Sequence, residues 1–359
     1  MADEVLRGAG DACESQLRRW VGSLGSSVAE VASYQFGWSG EGAGRGGKFV
    51  RAALTLACAR AVGGSVQRAV PAATAIEMVH NLSLLYDDVL DGDSVRRHRA
   101  AAWQVFGSSA AARSADALLV TAFDVLSDAE GTNGTAAGET SAASPSLSAP
   151  APAPSDASDA SAASIASAAS AALLDALIQL AVGEGLDLVF EGRSQVTLAE
   201  CLEMVSGKTA SLFACACRLG ALYGGADPVT TDEWAAFGHD LGMAFQLVDD
   251  LLGIWGDPAV TGKAVFNDLA RRKMSVPVVA ALTSGTSSGE ELARLYALPG
   301  ADPADLARLV EQAGGRRWTG ERAARHAEAA RERLHRLAVV PEALADLQAL
   351  CAVIVNRAH

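Results

Sequence analysis

The sequence predicts an all-α protein: a single large helical bundle with a central cavity between two Asp-rich helices. Three observations carry this. Apolar residues recur at helical spacing over residues 50–62, 75–90, 115–126, 171–190, 198–223 and 234–255. No segment shows the apolar/polar alternation of a half-buried strand. Half of the 359 residues are hydrophobic but only 5% are aromatic, so the core material is largely Ala, Leu and Val, and alanine and leucine favour helix.

Taken in order, the chain opens with MADEVLRGAGDACESQLRRW, charged from the third residue and without the apolar region of a signal peptide. No uninterrupted apolar run reaches membrane-spanning length. The expectation is a soluble, cytoplasmic protein with no membrane span. Turns are marked by Gly63-Gly64, by Gly224-Gly225 running into Asp227-Pro228, and by Pro299-Gly300. Thr197 with Glu200, and Thr230 with Glu233, read as T-x-x-E capping boxes that open helices. Residues 127–166 break the pattern, being built from Ala, Ser, Gly, Thr and Pro with almost no large apolar side chain. Such a segment buries too little surface to offset its ordering entropy, so a disordered insertion between two helices is expected there, with the Ala/Ser run after Ser161 able to turn helical as it approaches Leu173. The short stretch 283–289 reads as a second flexible linker. Helical pattern continues on both sides of each, so one domain spans residues 1–359.

The formal net charge is −13, which argues against a nucleic-acid partner, because a phosphate backbone needs a basic footprint. A phosphorylated small molecule would have to be held by a local group of cations or by metal. The six cysteines, at 13, 58, 201, 215, 217 and 351, match no zinc spacing and lie among small apolar residues where their sequence context is clearest. Buried, inert thiols are expected.

Two acidic clusters carry the chemistry. HNLSLLYDDVLDGDSVRRHR runs from an apolar face into Asp87, Asp88 and Asp91. On a helix Asp87 and Asp91 share a face one turn apart, with Asp88 beside them. Their mutual repulsion costs stability unless a cation relieves it. Magnesium suits the task, since it takes carboxylate oxygens and bridges to substrate phosphates. FQLVDDLLGIWGD repeats the pattern at Asp249 and Asp250, and two such helices place carboxylates across a bundle interior, where bundles build metal sites. The cations are few and placed near these helices: Lys48 and Arg51 in GRGGKFVRAAL, Arg96 and Arg97 after the first cluster, Lys208 in VSGKTASLF, Lys263 in DPAVTGKAV, then Arg271, Arg272 and Lys273. A glycine before a lysine lets backbone N–H groups approach an oxyanion.

These stretches together resemble the trans-polyprenyl synthetase family. GGKFVR, EMVHNLSLLYDDVLDGDSVRR, SGKTASLF and FQLVDDLLGIWGDPAVTGKAVFNDLARRKMSVP follow the family's motifs in the family's order, from Gly46 to Pro277. The resemblance implies the isoprenoid synthase fold, a homodimer, and condensation of isopentenyl diphosphate with an allylic diphosphate. Asp87, Asp88, Asp91 and Asp249 would hold Mg2+, with Asp250 in support. Lys48, Arg51, His80 and Arg97 would bind isopentenyl diphosphate. Arg96, Lys208, Thr209, Gln246 and Lys263 would surround the allylic diphosphate. The reaction implied is ionisation of the allylic diphosphate, attack by the isopentenyl double bond, and loss of a proton, with the released diphosphate as the acceptor and no side-chain general base. Leu82 and Ser83, five and four residues before Asp87, would bound the growing chain. Neither is aromatic, which implies a product longer than farnesyl, with geranylgeranyl diphosphate expected.

The sequence departs from the family pattern in places. Gly253 stands where a third Asp is common, Glu184 where glutamine is usual, and Phe49, Ala52 and Tyr86 replace Arg, Pro and His. Two other readings stay open. A class I terpene cyclase also ionises diphosphates, but its N/D-x-x-S/T-x-x-x-E element is missing, with Leu252 and Asp257 in its place. A weakly active or regulatory subunit of a heteromeric synthase fits Gly253 and Glu184 but not the retention of both acidic motifs.

Overall fold

A computed structural model of the chain describes residues 1–40, 44, 47–128, 156–191, 193, 195–258 and 265–355. Helix α1 (Ala2–Gly22) buries Leu6, Cys13, Leu17 and Val21, a single stripe of the helical period. Helix α2 (Ser26–Gln35) follows, then α3 (Val50–Ala61), in which nearly every residue from Ala52 to Ala61 is buried. A helix apolar on all sides belongs at a bundle centre, and α3 packs against α1, α4 (Val66–Leu90), α9 (Ser211–Tyr223) and α16 (Pro341–Val355). Between α4 and α9 come α5 (Ala102–Phe106), α6 (Ser108–Ser127), α7 (Asp156–Glu191), α8 (Leu198–Val205) and a π-helical turn, Ser206–Ala210. Helix α10 (Pro228–Trp255) lies along α9 and along α15 (Gly315–Arg336). The described residues also include four shorter helices: α11 (Asn267–Ala270), α12 (Val276–Leu282), α13 (Ser287–Tyr296) and α14 (Pro303–Gln312). Both α4 and α10 pack on α9, which brings the two acidic helix ends into one region.

The all-α expectation holds. Among the described residues, β structure is confined to one antiparallel pair, β1 (Val95–Arg96) with β2 (Arg99–Ala100). Its turn residues, Arg97 and His98, have φ of 51° and 61°. Positive φ at both central positions matches the strand twist of a tight hairpin, and without glycine it costs about 1–3 kcal/mol per residue.

Local predictions fared unevenly. The capping box at Thr197 is present, with Glu200 N–H donating to the Thr197 hydroxyl and Glu200 accepting from Thr197 N–H. The box expected at Thr230 is not: α10 starts three residues earlier, where Asp227 accepts from the N–H groups of Val229 and Thr230 and Pro228 fills the first helical position. An aspartate cap followed by proline outcompetes a later threonine because both satisfy the same orphan donors. Residues 283–289 are ordered by a cap, Thr286 accepting from Gly289 N–H, rather than left as a linker. Of the expected insertion, residues 129–155 lie outside the described residues. Residues 156–161, expected to lack structure, instead open α7, and the Ala/Ser run after Ser161 is helical, as its alanine content allows. Five of the six cysteines are buried and Cys351 is partly so. Burial raises the Cys13 and Cys215 thiols to about 12, which keeps them protonated and inert.

Candidate active site

The first acidic wall is the C-terminal end of α4. Asp87 and Asp88 are its last-turn residues and Asp91 is its C-cap. Asp88 is buried, and Arg96 from the hairpin donates through Nε to its Oδ1 at 2.8 Å, with a second, shorter contact from the other guanidinium nitrogen. The other oxygen of Asp88, Oδ2, is buried without a hydrogen-bond partner. Asp91 lies 3.5 Å from Lys273 Nζ. Burial raises the Asp87 carboxyl above its usual range, opposed by the Lys208 ammonium and reinforced by Asp91.

Lys208 reaches this wall because of the π-helical turn. Gly207 and Gly183 bring the turn and α7 into backbone contact: a Cβ on Gly183 would come within 2.2 Å of Lys208 N, and one on Gly207 within 2.6 Å of the Gln179 carbonyl. No other residue type fits that approach. Lys208 Nζ then sits 2.7 Å from Glu184 and 2.8 Å from Asp187, both on α7. Burial pulls its pKa down, but Asp87, Asp187 and Glu184 outweigh it and hold the ammonium well above its ordinary value. Burial and the neighbouring Asp87 push Glu184 up to about 7, and it hydrogen-bonds Asp87. Glu184 thus stands beside both Asp87 and Lys208, at the position where the family pattern has glutamine.

The second wall is built differently. Thr209 donates to Gln246 Oε1 at 2.7 Å, Gln246 donates to Asp250 Oδ1 at 2.8 Å, and Val276 N–H donates to Asp250 Oδ2 at 2.9 Å. Asp250 is buried, and that burial pushes its carboxyl up to about 7. Both of its oxygens are engaged by neutral protein donors. Asp249 is partly buried one residue earlier. At Gly253 the space a side chain would take is filled from α11: a Cβ there would come within 2.1 Å of Asp268 Oδ2. Thr209, Gln246 and Asp250 thus belong to one chain of hydrogen bonds, and Lys263 lies outside the described residues.

A group of cations adjoins the first wall. Arg51, on the first turn of α3, lies over the Phe213 ring at 4.7 Å. Arg97 is exposed and packs its guanidinium against Gly47, next to the exposed Lys48. His80 is held well below its ordinary pKa by burial, then by the charges of Arg51, Arg97 and Arg96, so its imidazole is neutral. Glu77, one turn before Asn81, accepts from Ala52 N–H at 3.0 Å and sits in the field of Arg51 and Arg97. The motif reading missed Glu77; the signal was a lone charge inside an otherwise apolar run. Ser83 donates to the His80 carbonyl at 2.9 Å, while Leu82 is buried.

Among the described residues, no three His, Cys, Asp or Glu side chains converge as a ready metal cage. Hard oxygen donors are nevertheless present on both walls, and the unpartnered Asp88 Oδ2 is such a donor. That suits Mg2+, which is held by one or two carboxylates plus substrate phosphates and waters rather than by an all-protein cage.

The arrangement matches known proteins along most of its length. A family model described as polyprenyl synthetase matches residues 40–313. The chain belongs to the polyprenyl synthetase family. It is 40% identical to a geranylgeranyl diphosphate synthase of Mycobacterium tuberculosis, over 96% of this chain and 91% of that one. It is 36% identical to a (2E,6E)-farnesyl diphosphate synthase of Mycobacterium bovis, over 95% and 89%. The crystal structure of a polyprenyl synthetase from Streptomyces coelicolor A3(2) superposes with a TM-score of 0.85 at 36% identity, covering 99% of this chain and 100% of that one. The polyprenyl synthetase family has the all-α isoprenoid synthase fold, in agreement with the sequence prediction.

One part of this synthetase's surface stands apart. Residues Ala162–Glu191 of α7 are long and apolar enough to cross a membrane by length and composition, an exception to the expectation that no such span exists. Glu184 and Asp187 within it bind Lys208, so the helix packs in the bundle. Its outer face carries Leu174, Ile178, Val182 and Val189, each about half exposed.

Proposed function

We propose that this synthetase condenses isopentenyl diphosphate with an allylic diphosphate, head to tail, and that geranylgeranyl diphosphate is its main product. The observation that carries the reading is the junction of two anion sites at one helix end. The cations Arg51 and Arg97, grouped around the neutral His80, adjoin the acidic wall of Asp87, Asp88 and Asp91, which Lys208 and Arg96 already face. A site with only one diphosphate to hold has no use for the second group of cations, which speaks against a terpene cyclase.

Asp87, Asp88, Asp91 and Asp249 would hold Mg2+, with Asp250 fixing the backbone around Asp249. When bound, magnesium supplies charge neutralisation to the departing diphosphate. Lys208 and Arg96, already paired with carboxylates, orient the allylic diphosphate and stabilise the charge that develops on it. Arg51, Arg97 and Lys48 bind the isopentenyl diphosphate, with the neutral His80 as a hydrogen-bonding group. The buried face behind Asp87, including Leu82, excludes water from the carbocation. Lys263 is assigned to the allylic diphosphate on family resemblance alone. The exposed stripe of α7 supports a homodimer, since contiguous apolar surface on one helix face marks an interface. A cytoplasmic enzyme is the reading that goes with these substrates.

Labelled isopentenyl diphosphate supplied with dimethylallyl, geranyl or farnesyl diphosphate, followed by product sizing, tests the reaction. Elongation to the twenty-carbon product is expected, and no primer-dependent incorporation would refute it. Ser83→Phe is expected to shorten the main product while turnover persists. Ile178→Glu is expected to shift the particle to monomer mass in sedimentation.

A further inference from the structure

The two walls are joined at their rim by a contact that the family motifs do not use. Arg271, just past α11, donates through one guanidinium nitrogen to Asp93 Oδ1 at 2.7 Å and through another to the Asp91 backbone carbonyl at 3.0 Å. These partners lie 178 and 180 residues away in sequence. Asp93 is itself a junction of the first loop. Its N–H donates to the Asp88 carbonyl at 3.0 Å, its carbonyl accepts from Trp103 Nε1 at 2.7 Å, and its carboxylate is 4.0 Å from Arg96.

The base of Arg271 is held firmly. The next residue, Arg272, has φ of 57°, and its guanidinium turns the other way, donating to the Leu298 carbonyl at 2.8 Å and lying over the Tyr296 ring at 5.1 Å. The Tyr296 hydroxyl donates to the Lys273 carbonyl at 2.7 Å. A left-handed arginine persists only where its surroundings over-determine it, and here α13 and the segment after it do so. Arg271 is therefore presented to the opposite wall on a braced platform.

We propose that Arg271 is a positioning residue that ties the second wall to the loop after the first, holding Asp91 and Arg96 in place for metal and diphosphate. Its short bonds go to Asp93 and to a backbone carbonyl, while the Asp91 carboxylate lies 4.0 Å from Arg271 and 3.5 Å from Lys273. The tie thus fixes where Asp91 sits without occupying its oxygens tightly. A bidentate arginine between a carboxylate and a carbonyl is a fixed fork that lysine cannot reproduce.

This inference rests on the reading of the walls as a metal and diphosphate site, and the test separates the two. Wild type, Arg271→Gln, Arg271→Lys and Asp93→Asn are compared by amide hydrogen exchange without ligand, by Mn2+ binding in the presence of inorganic diphosphate, and by steady-state kinetics. Arg271→Gln is expected to speed exchange over residues 91–97. It should weaken Mn2+ binding and raise KM for the allylic diphosphate by about tenfold, with a smaller change in kcat. Asp93→Asn should act in the same direction, and the double variant should fall short of the sum of the two single effects, because both remove the Arg271–Asp93 contact. Arg271→Lys keeps the charge and the fold and should fall between wild type and Arg271→Gln. Unchanged exchange and Mn2+ affinity in Arg271→Gln, or strictly additive effects with Asp93→Asn, would overturn the tie. A wild-type protein that binds no Mn2+ would instead count against the site itself.

Discussion

The two acidic helix ends hold their carboxylates by different means. At the end of α4, Asp88 is answered by Arg96, Asp91 by Lys273, and Asp87 by Lys208 and Glu184. Every partner is an ionisable side chain, and those of Asp88 and Asp91 are partly exposed. At the end of α10, Asp250 is answered by the Gln246 amide and the Val276 backbone N–H, both neutral, and it is buried. Ion pairs of the first kind can exchange partners when a diphosphate and metal arrive, because one charged contact replaces another at similar cost. Neutral donors on a buried carboxylate cannot be exchanged so, since each lost bond leaves an unsatisfied group. The first wall is built to change partners and the second to keep its shape.

The sharpest way to break this contrast is to remove one charge from each wall. Asp87→Ala and Asp249→Ala are both expected to cut turnover by about a hundredfold or more, the loss typical of one preorganised charge-stabilising group, with helical circular dichroism retained. Near-normal kcat in both would end the two-wall account. Chelation extends the same test: excess EDTA should abolish turnover yet leave the melting temperature almost unchanged, because the first-wall carboxylates already have protein cations beside them. A large drop in melting temperature would mean that metal, not Arg96 and Lys273, balances them.

Stability gives the next effect in size. Arg96→Met leaves the buried Asp88 without its cation and should cost about 1.5–3 kcal/mol in urea denaturation, the range for a hydrogen bond to a charged group. The smallest change is expected at Asp250→Asn. Its amide can donate to Gln246 if that side chain flips, and the flipped Gln246 can then donate to the Thr209 hydroxyl, so the loss should stay below about 1 kcal/mol. Asp250→Ala removes both acceptors and should cost more than Asp250→Asn. Equal stability of these two variants would show that the hydrogen-bond chain does not shape the second wall.

What could be read from the sequence was local or motif-based. Helical period located α3, α4, α6, α7, α9 and α10 but not the equally long α1 and α15, the Thr197 cap was legible within four residues, and the order of the acidic and basic motifs pointed to the family. The same local signals misled where two of them competed, as at Asp227 and Thr230, or where alanine-rich composition could serve coil or helix, as at residues 156–161. Only the tertiary structure decided which aspartate does what. Asp249 and Asp250 are neighbours in sequence, yet Asp250 is committed to Gln246 and to Val276, 26 residues on. Arg271 and Lys273 were visible as cations, but nothing in the chain near them names Asp93 and Asp91, some 180 residues earlier, as partners. Propensities and caps act over one or two turns and so are written into short stretches. Which charges meet depends on how whole helices pack, and that is settled by the packing of both α4 and α10 on the buried α9.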